Sequence, residues 1–303
     1  MRAIITGGSG LIGRALAADL AGAGYEVIVL SRTAKTVTGM PPGVTPQKWD
    51  GQTTAGWGHL VEGAKAIINL AGAGIADQRW TPERKLQLRN SRVYPGQAVV
   101  EAIEAASNKP EVVIQASAVG YYGPQAENEI TEESPGGHDF LADVCRAWED
   151  AVTPIAAQGG VRLAIIRTGV VLSLAGGALP KMALPFKLFA GGPIGSGRQW
   201  ISWIHIADVV AAIRYLIESE TAAGPFNLTA PQPLTNAQFG QVLGRALKRP
   251  AFMPTPGLAM KLLFGEMSTV LLDGQRVLPQ KLQQLGYSFQ YPQLESALQD
   301  LYT

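Results

Sequence analysis

The sequence has few of the residues that disulfide bonds and metal centres require. Cys145 is the only cysteine among 303 residues, so no disulfide can form within the chain. A cysteine-based metal site is excluded for the same reason, because such sites need several ligands. The three histidines, His59, His138 and His205, are widely separated in the sequence. We therefore expect a cytoplasmic protein without a bound metal.

The chain also lacks a marked excess of charge and a long uninterrupted apolar run. It has 25 Lys and Arg against 24 Asp and Glu, a net charge of +1, so neither nucleic acid nor an acidic-tail function is indicated. The longest apolar run, around residues 163–179, is interrupted by Arg167 and by glycines, and is too short to span a membrane. We predict a strand from Arg2 or Ala3 onward, so we expect no signal peptide. We expect neither nucleic acid nor a membrane as a partner.

What the chain does have is an alternation of strands and helices over its first 170 residues. Strands are predicted at 2–6, 26–31, 47–49, 66–70, 111–116 and 163–167, and helices at 11–23, 82–106 and 140–157. The strands are apolar without polar alternation, which is typical of strands buried on both faces of a parallel sheet. The pattern predicts an α/β fold with a doubly wound, parallel, Rossmann-type sheet.

The second half of the chain predicts a smaller domain. Residues 171–205 have little regular periodicity, and residues 230–303 contain short helices separated by prolines. Between them, a helix at 206–218 and a strand near 226–228 indicate a return to the sheet. We expect a Rossmann domain of 1–170 plus about 206–229. Residues 171–205 and 230–303 would form a mostly helical, substrate-side domain.

A glycine-rich loop joins the first strand to the first helix. Gly7 allows a tight turn, Gly10 allows a pyrophosphate to approach the backbone, and Gly13 allows the helix to pack closely on the strand. Leu11 and Ile12 open the helix, whose free N–H groups favour an anion. A glycine-rich turn without a ligand is the alternative. The position within a βαβ unit favours a dinucleotide-binding site.

The residues at the end of the second predicted strand indicate which dinucleotide the site would bind. NAD-selective sites usually carry Asp or Glu there, whereas this chain has Ser31 and Arg32. An arginine offers a planar cation to a 2′-phosphate, and the serine can add a hydroxyl donor. An ordinary surface arginine is the alternative. The pair predicts NADP(H) as the cofactor.

The spacing Gly-x-x-Gly-x-x-Gly resembles the short-chain dehydrogenase/reductase superfamily, and further segments resemble its extended, epimerase/dehydratase-like members. These segments are 69–72 (Asn-Leu-Ala-Gly), 117–123, 203–208, and a tail around 264–267 and 278–282 like that of an atypical subgroup with a small carboxyl-terminal domain. The resemblance covers essentially the whole chain. It implies cofactor contacts from Leu70, Ala71 and Gly72. It also implies that a homodimer could form through the helices near 82–106 and 140–157.

The chain departs from this family at its proton-transfer residues. The family uses Tyr-x-x-x-Lys, in which lysine lowers the tyrosine pKa so that the phenol can exchange a proton. None of the eight tyrosines has a lysine four residues later. If Glu149 aligns with the family's glutamate, Leu141 and Cys145 occupy the two positions.

The remaining candidates lie in loops that the resemblance places near the cleft. Ser117 and Tyr122 are the candidate catalytic residues, with strand capping and a packed aromatic as the alternatives. Tyr121 and Arg198 are candidate substrate contacts, although Arg198 could simply lie at the tip of a mobile loop.

Three more residues carry charge or can acquire it. Arg92 stands where the family usually has asparagine and is a candidate cofactor contact, or a helix-surface arginine. His205 and Asp208 either form an acid–base pair or brace their loop, with Asp208 capping the following helix or bonding locally.

These observations predict an NADP(H)-binding oxidoreductase or epimerase acting on a small substrate, which could be nucleotide-linked. Because the Tyr–Lys pair is missing, a non-catalytic NADP(H)-binding redox sensor or scaffold is the alternative.

Overall fold

A computed structural model describes residues 1–32, 40–125 and 127–303. The strands are β1 (Arg2–Thr6), β2 (Glu26–Ser31), β3 (Val44–Lys48), β4 (Ala66–Asn69), β5 (Val112–Ala118), β6 (Glu129–Ile130), β7 (Arg162–Thr168), β8 (Val170–Leu172), β9 (Trp200–Ile201), β10 (Trp203–His205), β11 (Gly224–Leu228), β12 (Leu234–Thr235) and β13 (Arg276–Val277). The helices are α1 (Leu11–Gly22), α2 (Pro82–Ala105), α3 (Phe140–Asp150), α4 (Ala178–Lys187), α5 (Ile206–Glu218), α6 (Asn236–Leu247), α7 (Gly257–Phe264), α8 (Thr269–Leu272), α9 (Gln280–Gln284) and α10 (Leu294–Tyr302).

Seven parallel strands form the central sheet, in the order β3-β2-β1-β4-β5-β7-β11. The middle strands are buried on both faces, as Ala3, Ile4 and Ile5 of β1 show with no exposed surface. Two apolar clusters cover the two faces of the sheet. This arrangement confirms the predicted doubly wound α/β fold with a Rossmann-type sheet.

The edge strand β3 gives the weakest sequence signal of the seven. It starts three residues earlier than predicted and is largely exposed, with Pro46 in its middle. Proline cannot donate a ladder hydrogen bond, so it is tolerated at a sheet edge and obscures the strand pattern. Residues 33–43 are rich in Thr, Gly and Pro, which predicts a loop, and most of them (33–39) lie outside the described part of the chain.

Two helical predictions needed correction, and proline explains both. The helix predicted at 140–157 ends at Asp150, and a separate 3-10 turn covers Thr153–Ala157. Pro154 has no N–H to continue the first helix but fits the start of the turn. Residues 171–205, predicted to be irregular, contain α4 and three short strands. Pro180 lies in the first turn of α4, where its missing N–H would have no intrahelical partner, whereas Pro185 lies inside the helix near its carboxyl end.

The carboxyl-terminal region is mostly helical, as predicted. Helices α4, α6 and α10 share an apolar cluster, which includes Phe186, Phe239, Leu243 and Leu298. The segment around 282–289 instead packs on the main cluster of the sheet. Among the described residues, no helix is both long and apolar enough to cross a membrane.

Candidate functional site

The crevice lies between β1 and β4, where the strand order reverses. In open α/β sheets, ligands bind outside the carboxyl ends of the strands at such a point. A buried polar chain fixes these ends: Thr6 Oγ1 donates to Asn69 Oδ1 (2.5 Å), and Asn69 Nδ2 donates to Gln115 Oε1 (2.8 Å). Thr6 Oγ1 also accepts the backbone N–H of Ala71 (3.2 Å). The loops after β1 and β4 are therefore held against each other.

Gly7 turns the chain out of β1 in a conformation that suits only glycine. Its φ is +66°, and a Cβ there would lie 2.7 Å from the backbone carbonyl of Leu70. The predicted cofactor contacts Leu70 and Ala71 thus lie directly beside the glycine-rich loop, and Gly72 follows them in the chain, against Arg92. A Cβ at Gly13 would lie 2.6 Å from the Gly7 oxygen, so Gly13 is needed for close packing.

The amino terminus of α1 faces this crevice. Gly10 is its N-cap, no side chain caps the helix, and the first turn contains no acidic residue. The N–H groups that open an uncapped helix, together with its dipole, favour an anion. Leu11 and Ile12, both predicted contacts, begin the helix. Leu11 also lies beside Gly177, so the segment leading into α4 borders the site.

Arg32 follows the carboxyl end of β2, and β2 pairs with β1 in the sheet. Its side chain is exposed, and its Cδ passes near the position that a Cβ on Gly51 would take (3.7 Å). Ser31 is buried, and its backbone oxygen accepts the Trp49 N–H (3.0 Å). Arg32 therefore extends an accessible guanidinium from the same edge of the sheet as the phosphate loop.

Arg92, another predicted cofactor contact, is buried behind the loop that follows β4. Its Nη1 donates to the Leu88 oxygen (2.9 Å), its Nη2 donates to the Ala73 oxygen (3.0 Å), and its guanidinium lies over Trp148. Burial lowers the pKa of Arg92, but an arginine remains charged. The geometry makes Arg92 a support for the loop carrying Gly72.

Ser117, a predicted catalytic residue, points into a buried ion-pair cluster. Its Oγ donates to Glu149 Oε1 (2.6 Å), which also accepts from Arg167 Nε (2.9 Å). Arg167 Nη2 donates to Glu149 Oε2 (2.8 Å), which makes the pair bidentate. Burial alone lowers the pKa of Arg167, but its bonds to Glu149 outweigh that effect and the net pKa is raised. The hydroxyl of Ser117 thus braces this pair, which argues against direct contact with a substrate.

Tyr122, the other predicted catalytic residue, is fully buried in the same cluster. Its hydroxyl donates to Asn227 Oδ1 (2.7 Å) and accepts from Arg167 Nη1 (3.1 Å). Burial raises the pKa of Tyr122 to about 12, although Arg167 acts in the opposite direction. Such a phenol is poorly suited to exchange protons near neutral pH. Tyr121, a predicted substrate contact, is half-buried and its ring lies 3.5 Å from the Arg167 guanidinium.

The face of α3 that points at the loop after β5 carries Leu141 and Cys145. Both lie within 4 Å of the position that a Cβ on Gly120 would take. This placement agrees with the alignment in which they replace the family's tyrosine and lysine. Burial raises the pKa of the Cys145 thiol to about 11. Neither residue can serve as a proton donor in the way the missing pair does.

The remaining candidates separate into an exposed residue and a structural pair. Arg198 is exposed, and its backbone N–H donates to Ser196 Oγ (3.3 Å). His205 caps α5, since its Nδ1 accepts the Ala207 N–H (3.2 Å). Asp208 does not cap this helix as predicted. Its carboxylate accepts the N–H groups of Gln290 (2.8 Å) and Tyr291 (2.9 Å).

Sequence reasoning missed the cluster that underlies the site. Arg167, Glu132 and Asn227 were not proposed, yet Glu132 Oε1 accepts the Asn227 N–H (3.0 Å) and Arg167 bonds to Tyr122. A charged residue inside the apolar strand β7 was an available signal, because a buried arginine needs a partner. The partner, on α3, is 18 residues away and could not be chosen by spacing.

Comparison with known proteins identifies the family. Residues 3–228 match the NAD dependent epimerase/dehydratase family, and residues 255–301 match a domain of unknown function, DUF1731. An epimerase family protein of Staphylococcus aureus is 42% identical over 98% of both chains. A chloroplastic SDR39U1 homologue of Arabidopsis thaliana is 41% identical over 98% of this chain and 86% of the relative.

A solved structure agrees over the whole chain. The crystal structure of human epimerase family protein SDR39U1 with NADPH has a TM-score of 0.90 and 36% identity, covering 100% of this chain and 99% of the human one. The resemblance inferred from the sequence motifs is thereby confirmed, and the chain belongs to the NAD-dependent epimerase/dehydratase family.

Proposed function

We propose that this protein binds NADP(H) and acts as an oxidoreductase or epimerase on a small substrate, with nucleotide-linked compounds among the candidates. The observation that carries the cofactor is the uncapped start of α1 behind Gly7 and Gly10, with the Arg32 guanidinium exposed at the same edge of the sheet. The human relative solved with NADPH supports the same choice.

Each part of this site has a distinct task in the proposal. The N–H groups at the start of α1 hold the pyrophosphate, and Arg32 holds the 2′-phosphate. The loop containing Leu70, Ala71 and Gly72 borders the adenine ribose, with Arg92 supporting it from behind. NADP(H), when bound, supplies hydride transfer, while the protein orients the reactants. Arg198, exposed in its loop, is the candidate substrate contact. A cytoplasmic setting and pairing through α2 and α3 belong to the same proposal.

A second function is favoured by one observation. Leu141 and Cys145 occupy the face of α3 beside the loop that follows β5, and Ser117 and Tyr122 are engaged in a buried cluster. The described site therefore offers no tuned phenol for proton transfer. This favours a non-catalytic NADP(H) sensor or scaffold as the second candidate.

Substitution of Arg32 tests the cofactor choice. We expect Arg32→Ala to weaken NADPH binding roughly ten- to hundredfold, the value of a charge-assisted hydrogen bond of about 1.5–3 kcal/mol. NADH binding should change little, because NADH has no 2′-phosphate. NADPH fluorescence titration measures both affinities.

Arg245→Ala is the matched control, because Arg245 is exposed and pairs with Glu295 at 3.3 Å. It should leave both affinities unchanged. An NADPH/NADH affinity ratio that Arg32→Ala does not alter would remove the basis for choosing NADP(H).

Two glycines of α1 provide a second, independent test. At Gly10 a Cβ would lie 3.2 Å from the Gly7 oxygen and φ is −76°, so Gly10→Ala should fold. Its methyl would stand at the helix terminus, and we expect dinucleotide affinity to fall about tenfold or more. A Cβ at Gly22, at the other end of the helix, has nothing within 4 Å.

Gly22→Ala should therefore retain full affinity and gain up to about 1 kcal/mol in unfolding free energy. Calorimetric titration and thermal denaturation of both variants measure these effects. Equal dinucleotide affinity in the two variants would contradict the placement of the pyrophosphate.

Single-turnover absorbance measurements separate the enzyme from the sensor. Protein loaded with NADPH, or with NADP⁺, is mixed with carbonyl or alcohol substrates, including sugar nucleotides, while absorbance of the reduced nicotinamide is followed. Substrate-dependent change supports the enzyme, and Arg198→Ala should then raise KM more than it lowers kcat. Tight NADPH binding without turnover of any substrate favours the sensor.

A further inference from the structure

The second half of the chain exposes large apolar side chains in two groups, at 184–189 and at 252–263. They lie in α4 and just after it, in the segment 252–253, and in α7, and we call them the α4–α7 face. Its members, between 45 and 73% exposed, are Leu184, Leu188, Phe189, Phe252, Met253, Leu258, Leu262 and Leu263. Helix α7 has no buried residue. Apolar patches of this kind generally mark a binding surface.

Backbone pairing makes these segments neighbours in space. The Met253 N–H donates to the Gly191 oxygen (3.0 Å), and the Thr255 N–H donates to the Pro193 oxygen (2.8 Å). The segment leaving α4 therefore runs beside the segment entering α7. The guanidinium of Arg249 lies 4.5 Å from the Phe189 ring centre, which joins the end of α6 to the same surface.

The two helices expose the same short pattern. The carboxyl end of α4 presents Leu184, Lys187 and the C-cap residue Leu188, and α7 presents Leu258, Lys261 and Leu262, all of them exposed. Positions i, i+3 and i+4 lie on one face of a helix. Each helix therefore places one lysine between two exposed leucines. A lysine in this position can lay its apolar stem along a nonpolar surface while its charge stays in water.

The charge of this region is one-sided although the whole chain is nearly neutral. No Asp or Glu occurs in residues 151–207 or 221–265. The exposed cations near this face are Lys181 and Lys187 of α4, Lys248 and Arg249 just after α6, and Lys261 of α7. Of the carboxylates that follow α7, Glu266 is paired with Lys85 at 2.6 Å, and Asp273 interacts with Lys261.

We propose that the α4–α7 face binds peripherally to lipid bilayers that contain anionic phospholipids. The leucines and phenylalanines would enter the headgroup region, and the lysines would contact the lipid phosphates. A second copy of the chain is a poorer occupant, because two-fold pairing would bring the same cations against each other. A spanning helix needs one long apolar run, whereas this face consists of short segments, so the sequence pattern alone predicts no membrane partner.

Vesicle flotation tests this proposal on the full chain. The protein should float with vesicles of phosphatidylcholine mixed with phosphatidylglycerol and remain behind with pure phosphatidylcholine. Binding should weaken at about 0.5 M salt, where charges are strongly screened. Replacing Lys187 and Lys261 by Gln should weaken binding about thirtyfold, and Leu188→Ser with Leu262→Ser should abolish it.

Leu86→Ser with Lys48→Gln is the matched control, since both residues are exposed outside this face. It should bind vesicles like the unmodified protein, and thermal denaturation should show that all variants are folded. The proposal is overturned if the unmodified protein does not bind anionic vesicles, or if the leucine and lysine variants bind them as tightly as the control does. It is also overturned if sedimentation shows a dimer that only the leucine variant dissociates.

Discussion

Glu149→Ala should destabilise the protein by about 3–5 kcal/mol, enough to remove much of the stability of an ordinary domain. Glu149 and Arg167 are 7% and 5% exposed and form a bidentate pair with distances of 2.8 and 2.9 Å. Removing the carboxylate leaves a buried guanidinium without a counter-charge and the Ser117 hydroxyl without its acceptor. Urea denaturation measures the loss.

An exposed ion pair of the same chemistry provides the control. Glu295→Ala removes a partner of Arg245 at 3.3 Å, where both side chains are more than half exposed. Surface pairs contribute about 0–1 kcal/mol, so this variant should be nearly as stable as the unmodified protein. If Glu149→Ala resembled Glu295→Ala, the buried pair would not support the fold as we infer.

Asp208→Ala should release the carboxyl-terminal segment around Gln290 and Tyr291 from α5. Asp208 has no exposed surface, and its carboxylate accepts the N–H groups of Gln290 and Tyr291 and the hydroxyl of Tyr287 (3.2 Å). Hydrogen bonds to a charged group contribute about 1.5–3 kcal/mol each, so losing the two from backbone N–H groups alone should cost roughly 3–6 kcal/mol. Chymotrypsin should then cleave the Asp208→Ala variant near Tyr287 and Tyr291 under native conditions.

Two further variants show whether the carboxylate itself is responsible. Asp208→Asn should not restore stability, because its amide nitrogen would face a backbone N–H that needs an acceptor. Asp300→Ala, which removes an exposed acceptor of the Tyr291 hydroxyl at 2.7 Å, should change stability by less than about 1 kcal/mol. Protease resistance of the Asp208→Ala tail would contradict the proposed attachment.

Local patterns predicted several strands and helices and the glycine-rich turn well. The bounds of β1 and β2 and of α5 agree with the structure, because apolar runs and helical spacing are properties of adjacent residues. The turn at Gly7 followed from sequence because only glycine suits φ of +66° beside the Leu70 backbone. The family resemblance located the loop after β4, which the polar chain from Thr6 to Gln115 holds in place.

The catalytic half could not be predicted in the same way. Ser117 and Tyr122 are candidates because their residue types and their place in the loop after β5 suit proton chemistry. Their surroundings depend on Arg167, Glu149 and Asn227, which come from three other elements. The direction in which a side chain at the end of a strand points, and what it meets there, is not a local property.

The sequence by itself determined the sheet, the glycine-rich turn at Gly7 and the absence of a Tyr-x-x-x-Lys pair. Each of these depends on residue type and on spacing along one short segment. Only the tertiary structure decided that Arg92 supports a loop, that Asp208 attaches the tail, and that α4 and α7 expose matching leucines. These roles arise from contacts between residues distant in the chain, where burial and hydrogen-bond partners are set by packing and not by neighbours in sequence.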